Sequence, residues 1–413
     1  IRTLRFVADF TSALEEGRNF LAEHLGAAIP IRFEAAGPSG KRFEGEYYLY
    51  LPPGYPAPRQ AYPLVIDLHG SGAANWKIPL DKNNTPNVPL DGSPIIGVGP
   101  ITFERGWKPD FLNALFADVK ARFPIDEDRV YLQGGSMGGK GAWDWAIANP
   151  EHFAALSPKC GTDGHPFRAV RLKHVAAWVF NGEKDLASYP LMPELMVTSM
   201  RRAGGEAKYT LFPHLAHAMG DAIDKKAVKD WYLQHRRSAQ RPEPDPMDAL
   251  GLRADGLSRI EVVEVPAGTV LALTSREETL YPQDNIFRAA VKLYQAYRRT
   301  SGGEPDRLAD GRVLLHYRSG GEEAPMQMFL DAPEGIGAKE KGDLRTVSLP
   351  AIRAGRVYVR GAWEKLVERK REVYRELESR GHRRTGEERA ILLPDGLKGP
   401  ERTWELLIAL AGS

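Results

Sequence analysis

Four short and almost wholly apolar stretches in the first half of the chain constrain its fold most strongly. They read YPLVIDLHG, RVYLQGG, HVAAWVFNG and AKYTLFP, at residues 62–70, 129–135, 174–182 and 207–213. Stretches of helical character lie between and after them, at residues 106–123, 138–150, 191–205 and 222–237. Strands that are apolar throughout are buried on both faces, and intervening helices provide parallel crossovers. This half is therefore predicted to form an α/β fold with a doubly wound, mostly parallel sheet, entered through an antiparallel edge hairpin around residues 43–55.

A change of composition divides the chain. At 413 residues it is too long for one ordinary hydrophobic core. The stretch SAQRPEPDPMDA begins at Ser238, and Pro242, Pro244 and Pro246 exclude a helix or a central strand there. The predicted organisation is an α/β domain at residues 1–237, of which 1–46 form an N-terminal extension and edge strands, then a proline-rich linker at 238–250 and a second domain at 251–413.

The second domain shows a pattern that occurs twice. A pair of strand-like runs, an amphipathic helical run and two further strand-like runs occupy residues 258–333, and the same order returns at 344–410. In each copy a proline, Pro266 or Pro350, follows the first strand. The pattern predicts a smaller α+β domain of two β-α-β-β repeats.

Composition excludes several classes of partner. A formal net charge of +2 gives no electrostatic reason to expect nucleic acid. The single cysteine, Cys160, cannot form an intrachain disulfide, and we interpret it as a small buried apolar side chain. We expect no membrane span and see no signal peptide, because the apolar runs are too short. Since the numbering begins at Ile1, a removed export signal stays open, and so does the choice between an extracytoplasmic and a cytoplasmic location.

The stretch VYLQGGSMGGKG, at residues 130–141, fits two active-site motifs. Centred on Ser136 it is a G-x-S-x-G nucleophile elbow, whereas from Gly134 to Lys140 it is most of a phosphate-binding loop. A phosphate-binding loop requires Ser or Thr after the lysine to hold magnesium, and here that position is Gly141. The elbow is the favoured interpretation, and a glycine-rich turn without chemistry is the alternative.

Ser136 requires a base and an acid on loops after later strands. WVFNGEKD offers Asp185 as the acid, with Glu183 as a rival, and TLFPHLAHAMGD offers His217 as the base, with His214 as a rival. We favour Asp185 because the chain can turn at Gly182 before it. We favour His217 because it lies farther beyond Pro213.

The oxyanion of an acyl-transfer intermediate requires backbone donors. The expected donors are the N–H of Met137, directly after the nucleophile, and the N–H of Ser71, in the loop of LVIDLHGSG. No phosphate loop or metal-ligand cluster accompanies them, so we expect catalysis without a cofactor or a metal.

From about Tyr47 to Arg237 the chain resembles the α/β-hydrolase superfamily. The resemblance is to esterases of the dienelactone hydrolase, polyhydroxybutyrate depolymerase and feruloyl esterase kind, also described as peptidases of the prolyl-oligopeptidase type. It rests on PLVIDLHGSG, FPIDEDRVYLQGGSMGGKGAWDWAIANPEHFAAL, WVFNGEKD, MRRAGGEAKYTLFP and HAMG. Asn181 departs from it, since many relatives have histidine there.

This resemblance implies a serine carboxylic-ester hydrolase that forms an acyl-enzyme on Ser136, with His217 and Asp185. Aromatic residues near the elbow suggest aryl or bulky esters as substrates; they are Trp76, Trp107, Trp143, Trp145 and Tyr189. A serine peptidase is the alternative, disfavoured because no gating domain is seen ahead of this one. A small-molecule sensor with little or no catalysis is a further alternative.

The second domain resembles, more loosely, the GyrI-like effector-binding domains related to the SOUL fold. The resemblance covers about Gly251 to Leu410 and rests on the repeats and on SLPAIRAGRVYVRGAWEKLVERKREVYRELESRG. It implies a cleft for an aromatic or cationic small molecule with an acidic residue near the last strands, where Glu387 and Glu388 lie slightly out of the usual register. The aromatic residues expected to line that cleft are Tyr281, Tyr317, Tyr358 and Trp363.

Overall fold

A computed structural model describes much of the chain, and its contacts divide the protein into two compact units. The described residues are 25–26, 28–55, 60–71, 93–102, 104–161, 165–273, 293, 313–318, 327–331, 344–393 and 402–411. The first unit comprises residues 1–164, 170–193 and 200–243, and the second comprises residues 165–169, 194–199 and 244–413. Two short pieces of the first half of the sequence thus belong to the second unit.

The proline-rich segment is bonded on both sides of this division. Within the first unit, Lys173 Nζ lies 3.2 Å from a carboxylate oxygen of Glu243. Within the second unit, the guanidinium of Arg168 forms an ion pair with Asp245, and its Nε donates to Oδ1 at 3.1 Å. Residues that the sequence predicted as a spacer therefore make fixed contacts.

The described residues of the first half of the chain form strands and helices. The strands are β1 Ala28–Ala36, β2 Arg42–Tyr50, β3 Tyr62–Leu68, β4 Ile96–Ile101, β5 Ile125–Gly135, β6 Ala155–Lys159, β7 Ala176–Gly182 and β8 Ala207–Phe212. The helices are α1 Pro109–Arg122, α2 Met137–Ala148, α3 Leu191–Arg202 and α4 Lys225–Tyr232. No helix in the described part of the chain has both the length and the apolar character needed to cross a bilayer.

The first sheet is mostly parallel, as predicted. Its strand order is β1-β2-β4-β3-β5-β6-β7-β8. The β1–β2 and β2–β4 pairs are antiparallel, and every pair from β4 to β8 is parallel. From β3 the chain crosses to β4 on one side, and β5 then returns to pair with β3 on the other. In open α/β sheets, ligand crevices lie outside the carboxyl ends of the strands at such a reversal.

The central strands are buried on both faces. On β3 the successive residues Leu64, Val65 and Ile66 are all buried, although neighbouring side chains of a strand point to opposite faces. Helix α4 covers one face, where the ring of Tyr232 stacks on that of Tyr131 with centroids 4.9 Å apart. The continuous apolar runs in the sequence therefore correctly predicted strands that are buried on both faces of the sheet.

The second unit contains a sheet with an internal symmetry. Among the described residues its strands are β9 Glu261–Val265, β10 Gly268–Leu273, β11 Val313–Arg318, β12 Gln327–Asp331, β13 Leu344–Leu349, β14 Ile352–Arg360, β15 Arg384–Leu392 and β16 Thr403–Leu410. Their order is β13-β10-β12-β11-β15-β16-β14-β9. Helix α5, Trp363–Ser379, lies between β14 and β15 in the chain. The corresponding helix predicted for the first repeat, residues 283–303, lies outside the described residues except for Leu293.

Counted outward from the centre, the two halves of this sheet run β11-β12-β10-β13 and β15-β16-β14-β9. The first strand of each repeat pairs with the other repeat, since β9 pairs with β14 and β13 with β10. The predicted strand pair at residues 258–278 therefore exists as two strands that do not pair with each other. The sheet as a whole shows the tandem repeat that the sequence predicted.

Candidate active site

Ser136 occupies a single-residue turn between a strand and a helix. Strand β5 ends at Gly135 and helix α2 begins at Met137. The backbone of Ser136 has φ 55° and ψ −117°, a conformation that side-chain-bearing residues rarely adopt. Its N–H donates to the carbonyl oxygen of Lys159 on β6 at 2.9 Å, which holds the strained turn against the neighbouring strand.

Close backbone contacts require glycine at positions 134 and 138, on either side of Ser136, but not at position 135. A Cβ on Gly134 would lie 2.5 Å from the carbonyl oxygen of Gly138, and a Cβ on Gly138 would lie 1.8 Å from the carbonyl oxygen of Leu68. A Cβ on Gly135 would meet nothing within 4 Å. The G-x-S-x-G spacing therefore reflects packing of the turn against β3 and against the start of α2.

The lysine that a phosphate-binding loop would use is paired with an acidic residue on its own helix. Lys140 Nζ forms an ion pair with Asp144 one turn along α2, at 2.5 Å. Gly139 packs closely against Gly161: a Cβ on Gly139 would lie only 2.7 Å from the Gly161 Cα. The lysine is thus engaged on its own helix.

Alanine at Gly138 should damage the protein, whereas alanine at Gly135 should not. Gly138→Ala introduces an atom that cannot fit beside Leu68, so we expect loss of folded protein or an activity loss of more than about 100-fold. Gly135→Ala, the matched control, should unfold within a few degrees of the unmodified protein and keep its activity. Thermal unfolding and ester hydrolysis measure both. Equal damage from the two changes would contradict the packing argument.

Three of the predicted site residues meet in one hydrogen-bonded chain. His217 Nε2 lies 2.8 Å from Ser136 Oγ, and His217 Nδ1 lies 2.8 Å from Asp185 Oδ2. Asp185 follows the end of β7 by three residues, and His217 follows the end of β8 by five. The carboxyl ends of β5, β7 and β8 thus present Ser136, Asp185 and His217 at one edge of the sheet.

The rivals considered for the acid and the base lie outside this chain. Glu183 accepts the N–H of His214 at 3.4 Å, which joins the two rivals to each other. His214 is exposed and has φ 66°.

The carboxylate of Asp185 is buried and has a full set of partners. Its residue is 1% exposed. Oδ1 accepts the N–H of Ala187 at 2.9 Å and that of Ser188 at 2.8 Å, while Oδ2 faces His217. The Ser188 hydroxyl donates to the carbonyl oxygen of Gly161 at 2.8 Å, which fixes this loop to the segment after β6. Sequence reasoning missed Ser188, and its place three residues after an aspartate at a strand end was the available signal.

The acid loop and the base loop are also joined directly. Lys184 N–H donates to the carbonyl oxygen of Leu215 at 2.8 Å, and Glu183 N–H donates to that of Phe212 at 3.1 Å. A Cβ on Gly182 would lie 2.3 Å from the carbonyl oxygen of Ala216. Glycine at 182 is therefore required for this approach, and not only for the turn that the sequence suggested.

The two predicted oxyanion donors lie on segments that adjoin Ser136. Met137 is the first residue of α2, whose N-terminus favours negative charge. Ser71 follows Gly70, and Gly70 abuts the turn, since a Cβ on it would lie 3.1 Å from the carbonyl oxygen of Gly135 and 3.3 Å from Ser136 Cβ. The loop after β3 therefore reaches the serine.

His69 anchors that loop. Its Nε2 accepts the N–H of Thr102 at 3.1 Å, so the proton lies on Nδ1, which is 2.9 Å from the carbonyl oxygen of Gly70. Trp107 Nε1 donates to the His69 carbonyl oxygen at 3.1 Å, and the two rings are 4.8 Å apart. Burial lowers the pKa of His69 below its usual 6.5 and keeps the ring neutral. Sequence reasoning assigned this histidine only to the turn.

His69→Gln should reduce the dependence of stability on pH. Because the folded protein binds the proton more weakly than the unfolded chain does, stability decreases as pH falls from about 6.5 towards the lower folded pKa. Glutamine can still accept the Thr102 N–H but does not titrate. Urea unfolding at pH 8 and pH 5.5 should show a smaller loss of unfolding free energy for the variant. An unchanged loss would show that His69 is not held neutral.

Cys160 is buried beside Asp185 and His217. The Cys160 Sγ, a carboxylate oxygen of Asp185 and a ring nitrogen of His217 all lie within 4.8 Å of one another. Among the described residues, this is the arrangement that comes nearest to a metal site. The Asp185 and His217 atoms already bond to each other at 2.8 Å, so a metal ion would have to break that bond. Burial raises the pKa of Cys160 to about 11, as befits an inert thiol.

In the second unit the two acidic residues named from the sequence are both paired. Glu388 is buried; it accepts the hydroxyl of Tyr374, and Lys370 Nζ lies 2.8 Å from it. Burial is the main cause that raises the pKa of Tyr374, and the carboxylate of Glu388 raises it further. Glu387 forms an ion pair with Arg389 at 2.8 Å.

Of the expected cleft aromatics, only the side chain of Tyr358 is described. It packs against a core cluster of Met247, Leu250 and Leu393. Tyr281 and the side chains of Tyr317 and Trp363 lie outside what the structure describes.

The chain is similar in part to known esterases. The profile of the Esterase family matches residues 44–190, which include Ser136 and Asp185 and end before His217. A curated protein called "Putative esterase NocK", from Nocardia uniformis subsp. tsuyamanensis, is 26% identical over 140 residues, or 30% of this chain and 40% of that protein.

Solved structures also match about half of the chain. One described as a thermostable esterase has a TM-score of 0.43 at 25% identity and covers 50% of this chain and 63% of its own. The acylaminoacyl peptidase of Pyrococcus horikoshii has a TM-score of 0.38 at 13% identity and covers 52% of this chain and 43% of its own. The chain thus spans less than two thirds of the length of each of these relatives.

Proposed function

We propose that the protein is a serine carboxylic-ester hydrolase that works through an acyl-enzyme on Ser136. The observation that carries the proposal is the hydrogen-bonded chain from Ser136 Oγ through His217 to the buried Asp185, with both links at 2.8 Å. The match to the Esterase family over residues 44–190 supports an ester as the substrate.

Acylation begins when His217 Nε2 takes the proton of the Ser136 hydroxyl as Oγ attacks the ester carbonyl carbon. The carbonyl oxygen becomes an oxyanion, and the N–H groups of Met137 and Ser71 are proposed to stabilise it. His217 then gives its proton to the alcohol oxygen, the bond from carbonyl carbon to that oxygen breaks, and the alcohol leaves. The acyl group stays on Ser136.

Deacylation repeats these steps with water. His217 Nε2 takes a proton from a water molecule, whose oxygen attacks the acyl carbon, and a second oxyanion forms beside the same donors. On collapse, the proton returns from His217 to Ser136 Oγ and the carboxylic acid leaves. Asp185 accepts the Nδ1–H throughout, which holds the tautomer with its free Nε2 towards the serine and stabilises the imidazolium.

The proposed preference for aryl or bulky esters receives no support from the aromatic residues. Trp107, Trp143 and Trp145 are buried in the core, and Tyr189 is half-buried. Trp76 lies outside the described residues. The preference stays a prediction, which an ester panel varying acyl chain and aryl character decides.

Two alternative functions remain to be tested, a serine peptidase and a sensor without catalysis. A serine peptidase requires the same triad, so the comparison of a nitrophenyl ester with a peptide anilide separates it from an esterase. A sensor without catalysis would show no turnover of either compound.

Ser136→Ala and His217→Ala should each lower kcat by roughly 10⁴-fold or more, because the proton transfer and the covalent step both depend on this pair. His214→Ala is the matched control and should keep activity, since His214 lies outside the chain of hydrogen bonds. The assay is hydrolysis of a chromogenic ester, with thermal unfolding as a check on folding.

Two outcomes would contradict this assignment. Activity of Ser136→Ala within tenfold of the unmodified protein would exclude the acyl-enzyme. A dead His214→Ala together with an active His217→Ala would move the base to the rival position.

For the second unit, binding of an aromatic or cationic small molecule remains a prediction. The carboxylate of Glu388 is already neutralised by Lys370, so a cationic ligand would have to compete with that ammonium group. Isothermal titration with a hydrophobic cation would test it.

A further inference from the structure

Leu186 is an exposed apolar residue beside the proposed triad. It is 73% exposed, although the adjacent Asp185 is 1% exposed. Single exposed leucines are common and need no explanation in themselves. This one lies on the loop that carries the proposed catalytic acid, next to the residue that contacts His217.

The loop that carries Leu186 is rigid at its backbone. The N–H groups of Ala187 and Ser188 both bind Asp185 Oδ1, at 2.9 and 2.8 Å. The Ser188 hydroxyl binds the carbonyl oxygen of Gly161. Leu186 therefore projects from a fixed turn, so a ligand that contacts it need not first order the loop.

Further exposed apolar residues lie on the loops that carry His217 and Asp185. Ala216 and Ala218, the neighbours of His217 in the chain, are both exposed, and so is Ala187. The bond from Lys184 N–H to the Leu215 carbonyl oxygen, at 2.8 Å, joins these two loops. We call the exposed set Leu186, Ala187, Ala216 and Ala218 the apolar rim.

The proposed mechanism determines which part of an ester this rim can contact. His217 must deliver its proton to the leaving alcohol oxygen, so the alcohol part lies on the His217 side of the carbonyl carbon. The oxyanion lies on the other side, towards Met137 and the loop of Gly70. An apolar surface on the two loops that carry Asp185 and His217 therefore borders the leaving group.

We propose that the apolar rim, with Leu186 as its largest member, binds the hydrocarbon part of the ester's alcohol and so selects esters of apolar alcohols. This inference rests on the proposed function and adds a specificity residue to it. Because the alcohol departs on acylation, the rim acts on acylation and leaves the hydrolysis of the acyl-enzyme unchanged.

The test compares two ester series in the full-length protein and in Leu186→Ser. In the first series the acyl group is acetyl and the alcohol is ethyl, butyl or hexyl; in the second the alcohol is nitrophenol and the acyl group is acetyl, butyryl or hexanoyl. Leu186→Ser should lower the ratio of kcat/KM for hexyl against ethyl acetate by about tenfold, as expected for lost apolar contact. The ratios within the acyl series should not change.

Leu233→Ser is the matched control. Leu233 is also exposed, at 38%, and it directly follows α4. Four residues later, the Arg237 N–H donates to the carbonyl oxygen of Asp128, near the start of β5. Leu233 therefore lies towards the amino ends of the strands, away from Ser136, and its variant should alter neither series.

Each result distinguishes this inference from the function on which it rests. A Leu186→Ser variant that changes the acyl series, or neither series, overturns the inference while leaving ester hydrolysis in place. If the unmodified protein hydrolyses none of these esters, the proposed function itself fails.

Discussion

The hydrogen bond from Ser136 N–H to the Lys159 carbonyl oxygen holds the turn on which the rest of the site depends. It links β5 to β6 at the residue whose φ is 55°, and so offsets a conformation that costs of order 1–3 kcal/mol. The same turn brings the N–H of Met137 to the first position of α2 and brings Gly70 into contact with Ser136. A relaxed backbone at Ser136 would move the hydroxyl away from His217 and would move the N–H of Met137 with it.

A second constraint is the buried charge of Asp185. A carboxylate removed from water is costly unless its oxygens are bonded. Two backbone N–H groups and His217 supply those bonds, and they come from residues 185–188 and from the loop after β8. Asp185 therefore orders its own loop around itself, and Lys184 attaches that loop to the one that carries His217. The acid thus serves the structure of the site as well as its proposed chemistry.

Local patterns in the sequence were sufficient for β3, β5, β7 and β8 and for the elbow, whereas β4 (Ile96–Ile101) and β6 (Ala155–Lys159) were not predicted. Apolar runs identify buried strands, and parallel strands place their carboxyl ends together, so Ser136, Asp185 and His217 could be chosen as candidates from their positions after strands. The roles of Lys159 and Thr102 could not be read in this way. Each acts through one backbone group that meets a residue distant in sequence, and any residue type can offer a backbone carbonyl or N–H. The same reason hid the pairing of β9 with β14, because a strand's pattern shows its buried face and not its neighbour.

The two sides of the site are held by separate parts of the fold. His69 and Trp107 tie the loop after β3 to the segment after β4, on the side proposed for the oxyanion. Lys184 and Ser188 tie the loops after β7 and β8 to each other and to Gly161, on the side proposed for the leaving alcohol. Since the two sets of contacts share no residue, a substitution on the apolar rim leaves the anchoring of the oxyanion loop untouched. The architecture thus allows the proposed alcohol specificity to change while the proposed oxyanion donors stay in place.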